Sequence, residues 1–93
     1  MGRAKRLRTK YLANKLSQIR KFLGLSQNEL IRAMGLVDVI YQGNVSEYES
    51  GERVPPLPVL LRYARVAGVS TDALIDDSID LPSQFPKPKG RAR

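Results

Sequence analysis

Cysteine, histidine and tryptophan are all absent from this chain of 93 residues. Without cysteine, neither disulfides nor thiolate-bound metals can hold the fold. Without histidine, the commonest metal ligand and the commonest general base are both missing. No catalytic triad of Ser-His-Asp or Cys-His type can be written. Only acids remain for proton transfer. Asp72, Asp76, Asp77 and Asp80 lack the glycine and terminal glutamate of a calcium-binding loop. No apolar run approaches the roughly 20 residues that cross a bilayer. The sequence therefore reads as a non-enzymatic, non-membrane protein with no metal and no cofactor.

Positive charge is abundant. Sixteen Lys and Arg face nine Asp and Glu, for a net charge of +7 and a pI near 10.2. Such a balance favours polyanionic partners, nucleic acid above all. The charge is segregated. Residues 1–10 carry Arg3, Lys5, Arg6, Arg8 and Lys10 and no acid; residues 81–93 carry Lys87, Lys89, Arg91 and Arg93 and no acid. Residues 36–52 hold Asp38, Glu47, Glu49 and Glu52 and no cation. The opening MGRAKRLRTK is followed by no apolar core, so it is not a secretory signal. Arg6 stands where a myristoylation signal needs Ser or Thr. A cytoplasmic location is expected.

Hydrophobic residues make up 42%, enough for one small core. Leu12, Leu16, Ile19 and Leu23 recur at helical spacing and predict a first helix over about 10–23, with Lys10, Lys15 and Lys21 off the stripe and Gly24 as the stop. Ser26-Gln27-Asn28-Glu29 is a capping box that opens a second helix, in which Leu30, Ala33 and Met34 face inward before Gly35. Residues 36–43 are rich in β-formers without a partner strand and predict an extended loop. Gln42-Gly43-Asn44 leads into a third helix over about 45–50, closed by Gly51, with Val45 and Tyr48 inward. Pro58 suits the first turn of a fourth helix over about 58–67, with Leu60, Leu61, Ala64 and Ala67 inward. Ser70 caps a fifth helix that runs to about Asp76. The expected fold is all-α. It is a compact five-helix bundle over 11–78, between a flexible basic arm (1–10) and a flexible, basic, proline-containing tail (79–93).

The segments IRKFLGLSQNEL (19–30), VSEYESGERVPP (45–56) and LLRYARVAGVSTDALI (60–75), in this order, resemble the phage repressor/Cro-like (XRE-type) helix-turn-helix family over about Leu16 to Asp76. The resemblance implies a transcriptional regulator that reads double-stranded DNA and binds paired half-sites as a homodimer. It implies an ion pair between Arg20 and Glu49, and a phosphate contact from Gln27, with Asn28 a second candidate. Two departures stand out: about four extra residues in the turn near 36–40, and bulky Ile31 where the family carries a small residue.

The base-reading candidates are Gln42, Gly43, Asn44, Ser46 and Glu47. Gln and Asn can pair bidentately with adenine, and Glu can accept from cytosine. Gly43 lets backbone approach closely. Because the third helix carries no cation, salt-sensitive attraction falls to Arg53, to Lys10, Lys15 or Lys21, and to the arm residues Arg3, Lys5, Arg6 and Arg8. Val69, Leu74, Ile75, Ile79 and Leu81 are candidates for a joining surface. An antitoxin-type regulator that also binds a protein partner is the main alternative. An RNA- or ribosome-associated adaptor ranks below it, because aromatics for base stacking are only 6% of residues.

Overall fold

Four of the five helices form where an apolar stripe is bounded by a stop glycine. A computed structural model describes residues 9–82, so Arg3, Lys5, Arg6, Arg8 and residues 83–93 of the tail lie outside it. In chain order the helices are α1 (Leu12–Leu23), α2 (Gln27–Met34), α3 (Gln42–Ser50), α4 (Leu57–Ala67) and α5 (Thr71–Ile75). No strand occurs among the described residues. Gly24, Gly35, Gly51 and Gly68 follow α1 to α4 in the left-handed conformation, which only glycine adopts without strain. At Gly35 a side chain would also meet Arg62 Nη1 at 3.1 Å.

Leu16, Ile19, Leu30, Val45, Tyr63 and Leu74 are fully enclosed at the centre. α1 packs on α3, α4 and α5, α2 on α3 and α4, and α4 on α5. Each enclosed large side chain contributes about 1.5–3 kcal/mol, so this cluster rather than any surface pair dominates stability. Ile31 is buried within it. Ala33 and Leu61, expected inward, are exposed.

Lys15 corrects the sequence reading. It lies three residues after Leu12 and four before Ile19, and so on the apolar face. It is only 5% exposed. Its ammonium donates to the carbonyls of Ala73 (2.7 Å), Asp76 (3.0 Å) and Ile79 (2.7 Å). All three protons of the group are thus used to finish the C-terminal end of α5. Lys15 is a structural cation, and no phosphate can reach it. Asp77 answers from the other side: its carboxylate accepts the N–H groups of Lys10 (2.9 Å) and Tyr11 (3.2 Å) at the start of α1. Leu81 also packs on the core, so these contacts run past residue 78.

Residues 36–40 form a tight turn where an extended loop was expected. Leu36 N–H donates to Ile31, and the N–H groups of Val39 and Ile40 both donate to Leu36. These local bonds satisfy a backbone that has no neighbouring strand. Leu36 and Ile40 are buried anchors, while Val37, Asp38 and Val39 project outward. The third helix begins three residues earlier than expected. Asn44 Oδ1 accepts the Tyr41 N–H at 2.8 Å, and Tyr41 O accepts from Asn44 and Val45. This draws Gln42, Gly43 and Asn44 into the first turn of α3.

Candidate nucleic-acid interface

α2 and α3 are held to α1 by a chain of polar contacts that begins at the core and ends in solvent. Arg20 on α1 meets Glu49 on α3 through two near-parallel bonds, Nε to Oε2 at 2.7 Å and Nη2 to Oε1 at 3.0 Å. Nη1 donates to the Leu25 carbonyl at 3.0 Å. The side chains are 18% and 10% exposed, so the pair is largely shielded from water. Hydrogen bonding to Glu49 is the first cause that holds the Arg20 guanidinium above its ordinary pKa. A two-pronged fork of this kind fixes angle as well as distance. It sets the tilt of α3 against α1.

The chain continues outward. Gln27, first residue of α2, donates to Glu49 Oε1 at 3.4 Å and accepts from Gln42 Nε2 at 3.1 Å. Gln27 and Gln42 therefore stand together on one edge, where the starts of α2 and α3 meet. Asn28 and Ser46 are exposed. Ser26 Oγ accepts the Glu29 N–H, and Glu29 accepts the Ser26 N–H, which secures the start of α2. Those two bonds, the backbone one first, hold the Glu29 carboxyl below its ordinary range.

The remaining site candidates differ in how much of their bonding capacity is spent. Asn44 uses its amide oxygen on Tyr41 N–H, so it is a poor bidentate reader. Glu47 accepts from Arg53 Nε at 3.1 Å. That pair is exposed and weak, so either partner can exchange it for a phosphate or a base. Gly43 has nothing within 4 Å of where a side chain would stand, so packing does not demand a glycine there. A groove of about 1090 Å³ runs between the start of α1 and the end of α3, lined by Lys10, Asn44, Glu47, Tyr48 and Arg53 among others. Lys21 is exposed on α1.

Three features escaped the sequence reading. Arg62 on α4 donates to the Met34 carbonyl at 2.6 Å and finishes the end of α2. Tyr63 Oη is buried with no hydrogen-bond partner among the described residues, and burial foremost, then the Glu49 charge, pushes its pKa well up. Tyr41, Val39 and Val37 are strongly exposed. Of the residues offered for a joining surface, Leu74 is fully buried, and Val69 and Leu81 pack on the core. Ile75 and Ile79 remain exposed, as do Val54, Leu57 and Leu61 on and before α4.

No group of three or more acids among the described residues is placed to hold a metal ion. No described helix is long and apolar enough to cross a membrane.

Two helices joined by a turn, the second braced by the first and presenting its opening turn to solvent, define a helix-turn-helix module. The sequence model of the helix-turn-helix domain family matches residues 3–77, and the chain belongs to that family. Comparison with curated proteins and with solved structures gives no match.

Proposed function

We propose that the protein is a sequence-specific, double-stranded DNA-binding transcriptional regulator that lays the exposed edge of α3 in the major groove. One observation supports this most: the hydrogen-bond chain from Arg20 through Glu49 and Gln27 to Gln42, which orders side-chain amides at an exposed helix start. Surface amides are common, but these are held in a set orientation by Glu49 and by each other, and base edges offer matching donors and acceptors.

In this reading Gln42 and Ser46 face base edges, with Glu47 beside them once Arg53 turns to a phosphate. Gln27 and Asn28 meet the backbone at the start of α2. Gly43 lets α3 approach without a side chain between. α3 carries no cation of its own, so the cations of the N-terminal arm supply most of the salt-dependent attraction together with Lys10 and Arg53. The protein acts by binding rather than by catalysis, in the cytoplasm, and as a homodimer on paired half-sites. The exposed apolar residues Ile75 and Ile79 are candidates for joining the subunits.

Selection of binding sites from random duplexes, at two ionic strengths, tests this. The native chain should enrich one motif at both. Gln42→Ala with Ser46→Ala should blur that motif more than it lowers total binding, and removal of residues 1–9 should flatten the dependence of log K on log salt. Enrichment of no motif by the native chain would remove the proposal.

A further inference from the structure

Three large apolar side chains crowd the surface beside the start of α3. Val37, Val39 and Tyr41 are 53%, 64% and 72% exposed. They are not loose. Leu36 and Ile40 are buried on either side of the tip, two backbone bonds to Leu36 O close the turn, and Asn44 Oδ1 holds the Tyr41 N–H. The fold thus holds these apolar residues on a fixed turn and leaves them in water. Exposed apolar side chains held on an ordered turn next to a proposed binding edge are candidates for part of its contact surface.

The chemistry of the neighbourhood selects the partner. Residues 36–52 contain no cation, and Glu49 and Glu47 are paired with Arg20 and Arg53, so nothing in this stretch draws the edge onto the sugar-phosphate strands. What remains for it on a duplex is the groove itself. There the one exposed apolar group is the thymine C5 methyl, found only in the major groove. Tyr41 immediately precedes Gln42, so a turn ending at Tyr41 enters the groove with the start of α3.

We infer that Tyr41, with Val39 beside it, is a specificity-determining contact that reads thymine through its methyl group. This rests on the proposed DNA-reading role of α3. The Tyr41 ring packs on the methyl, and its hydroxyl is not needed for the contact. The lengthened turn is then an added reading element rather than a spacer.

The test uses the duplex that the native chain selects best, and versions of it in which deoxyuridine replaces thymine one position at a time. Uracil keeps every hydrogen-bonding group and loses only the methyl. At one or two positions the native chain should bind the uridine duplex about fourfold more weakly, the effect of leaving one methyl-sized group in water. Tyr41→Ala should bind thymine and uridine duplexes equally there. Tyr41→Phe should keep the native ratio. Val39→Ala, outside α3 and exposed, should lower the ratio in part and guards against a folding defect in Tyr41→Ala. A native chain that selects a motif yet ignores every uridine replacement overturns this inference alone. A ratio unchanged in folded Tyr41→Ala and in Val39→Ala also overturns it. A native chain that selects no motif overturns both it and the reading on which it rests.

Discussion

Two polar seams cross this small bundle, and they use similar side chains to opposite ends. The α1–α5 seam holds Lys15 and Asp77. There a buried ammonium has all three donors committed to carbonyls, and a carboxylate caps the start of α1. The α1–α2–α3 seam starts in the same way, with the Arg20–Glu49 fork, but runs out to Gln27 and Gln42 at the surface. The first seam is closed. The second ends in amides with capacity to spare. The difference teaches that a charged or polar residue on a helix marks a site only when its bonding capacity is left over after the fold is satisfied.

The comparison is easiest to break at its closed end. Lys15→Met removes the ammonium and strands three carbonyls, at about 3–4 kcal/mol of stability. Thermal or urea unfolding should show this, while the duplex motif selected by the remaining folded protein stays unchanged. A shifted motif would mean that Lys15 is no mere strut.

Glu49→Ala should lose about 3 kcal/mol, because it leaves the shielded Arg20 unpaired. Unlike Lys15→Met, it should also weaken sequence preference, since Gln27 loses its anchor. Preserved preference would show that the fork and the proposed reading edge are independent.

Gly43→Ala sharpens the contrast with a change of opposite sign. Alanine suits a helix better than glycine and has open space here, so stability should rise by about 0.5–1 kcal/mol. Duplex affinity should fall if that face meets DNA. A gain in stability with no loss of binding would place Gly43 away from the groove.

The smallest effect at neutral pH belongs to Tyr63→Phe. The hydroxyl is buried without a partner, so its removal should change stability by less than about 0.5 kcal/mol or raise it slightly. At high pH the variant should gain on the native chain. The folded phenol keeps its proton above the ordinary value of 10.0, whereas the unfolded chain releases it. Native stability therefore falls as pH rises past about 10 by this group's contribution, and phenylalanine removes that contribution. Parallel urea midpoints from pH 8 to 11 would show the difference or its absence.

Much of the fold was legible because its signals are local. The Ser26–Glu29 capping box spans four residues, and each stop glycine directly follows its stripe. Lys15 was not legible as a strut. Its place on the apolar face is readable from its spacing, but the three carbonyls that receive it are about sixty residues away and meet it only after α5 docks. The start of α3 was missed for a different reason. Gly43 and Asn44 favour turns, and only the bond from Tyr41 N–H to Asn44 shows that they form the first turn of a helix. Of the candidate site, the polar residue types on the proposed edge can be read from the sequence. Their availability cannot, because the bonds that occupy Asn44 and Glu47 depend on how α3 is seated.

Amide chemical-shift mapping with the selected duplex probes the whole surface at once. The largest changes are predicted at Gln27, Tyr41, Gln42, Gly43 and Ser46, with Ala73 and Asp77 on the closed seam unmoved. Changes gathered along α1 and α5, with α3 silent, would contradict the account.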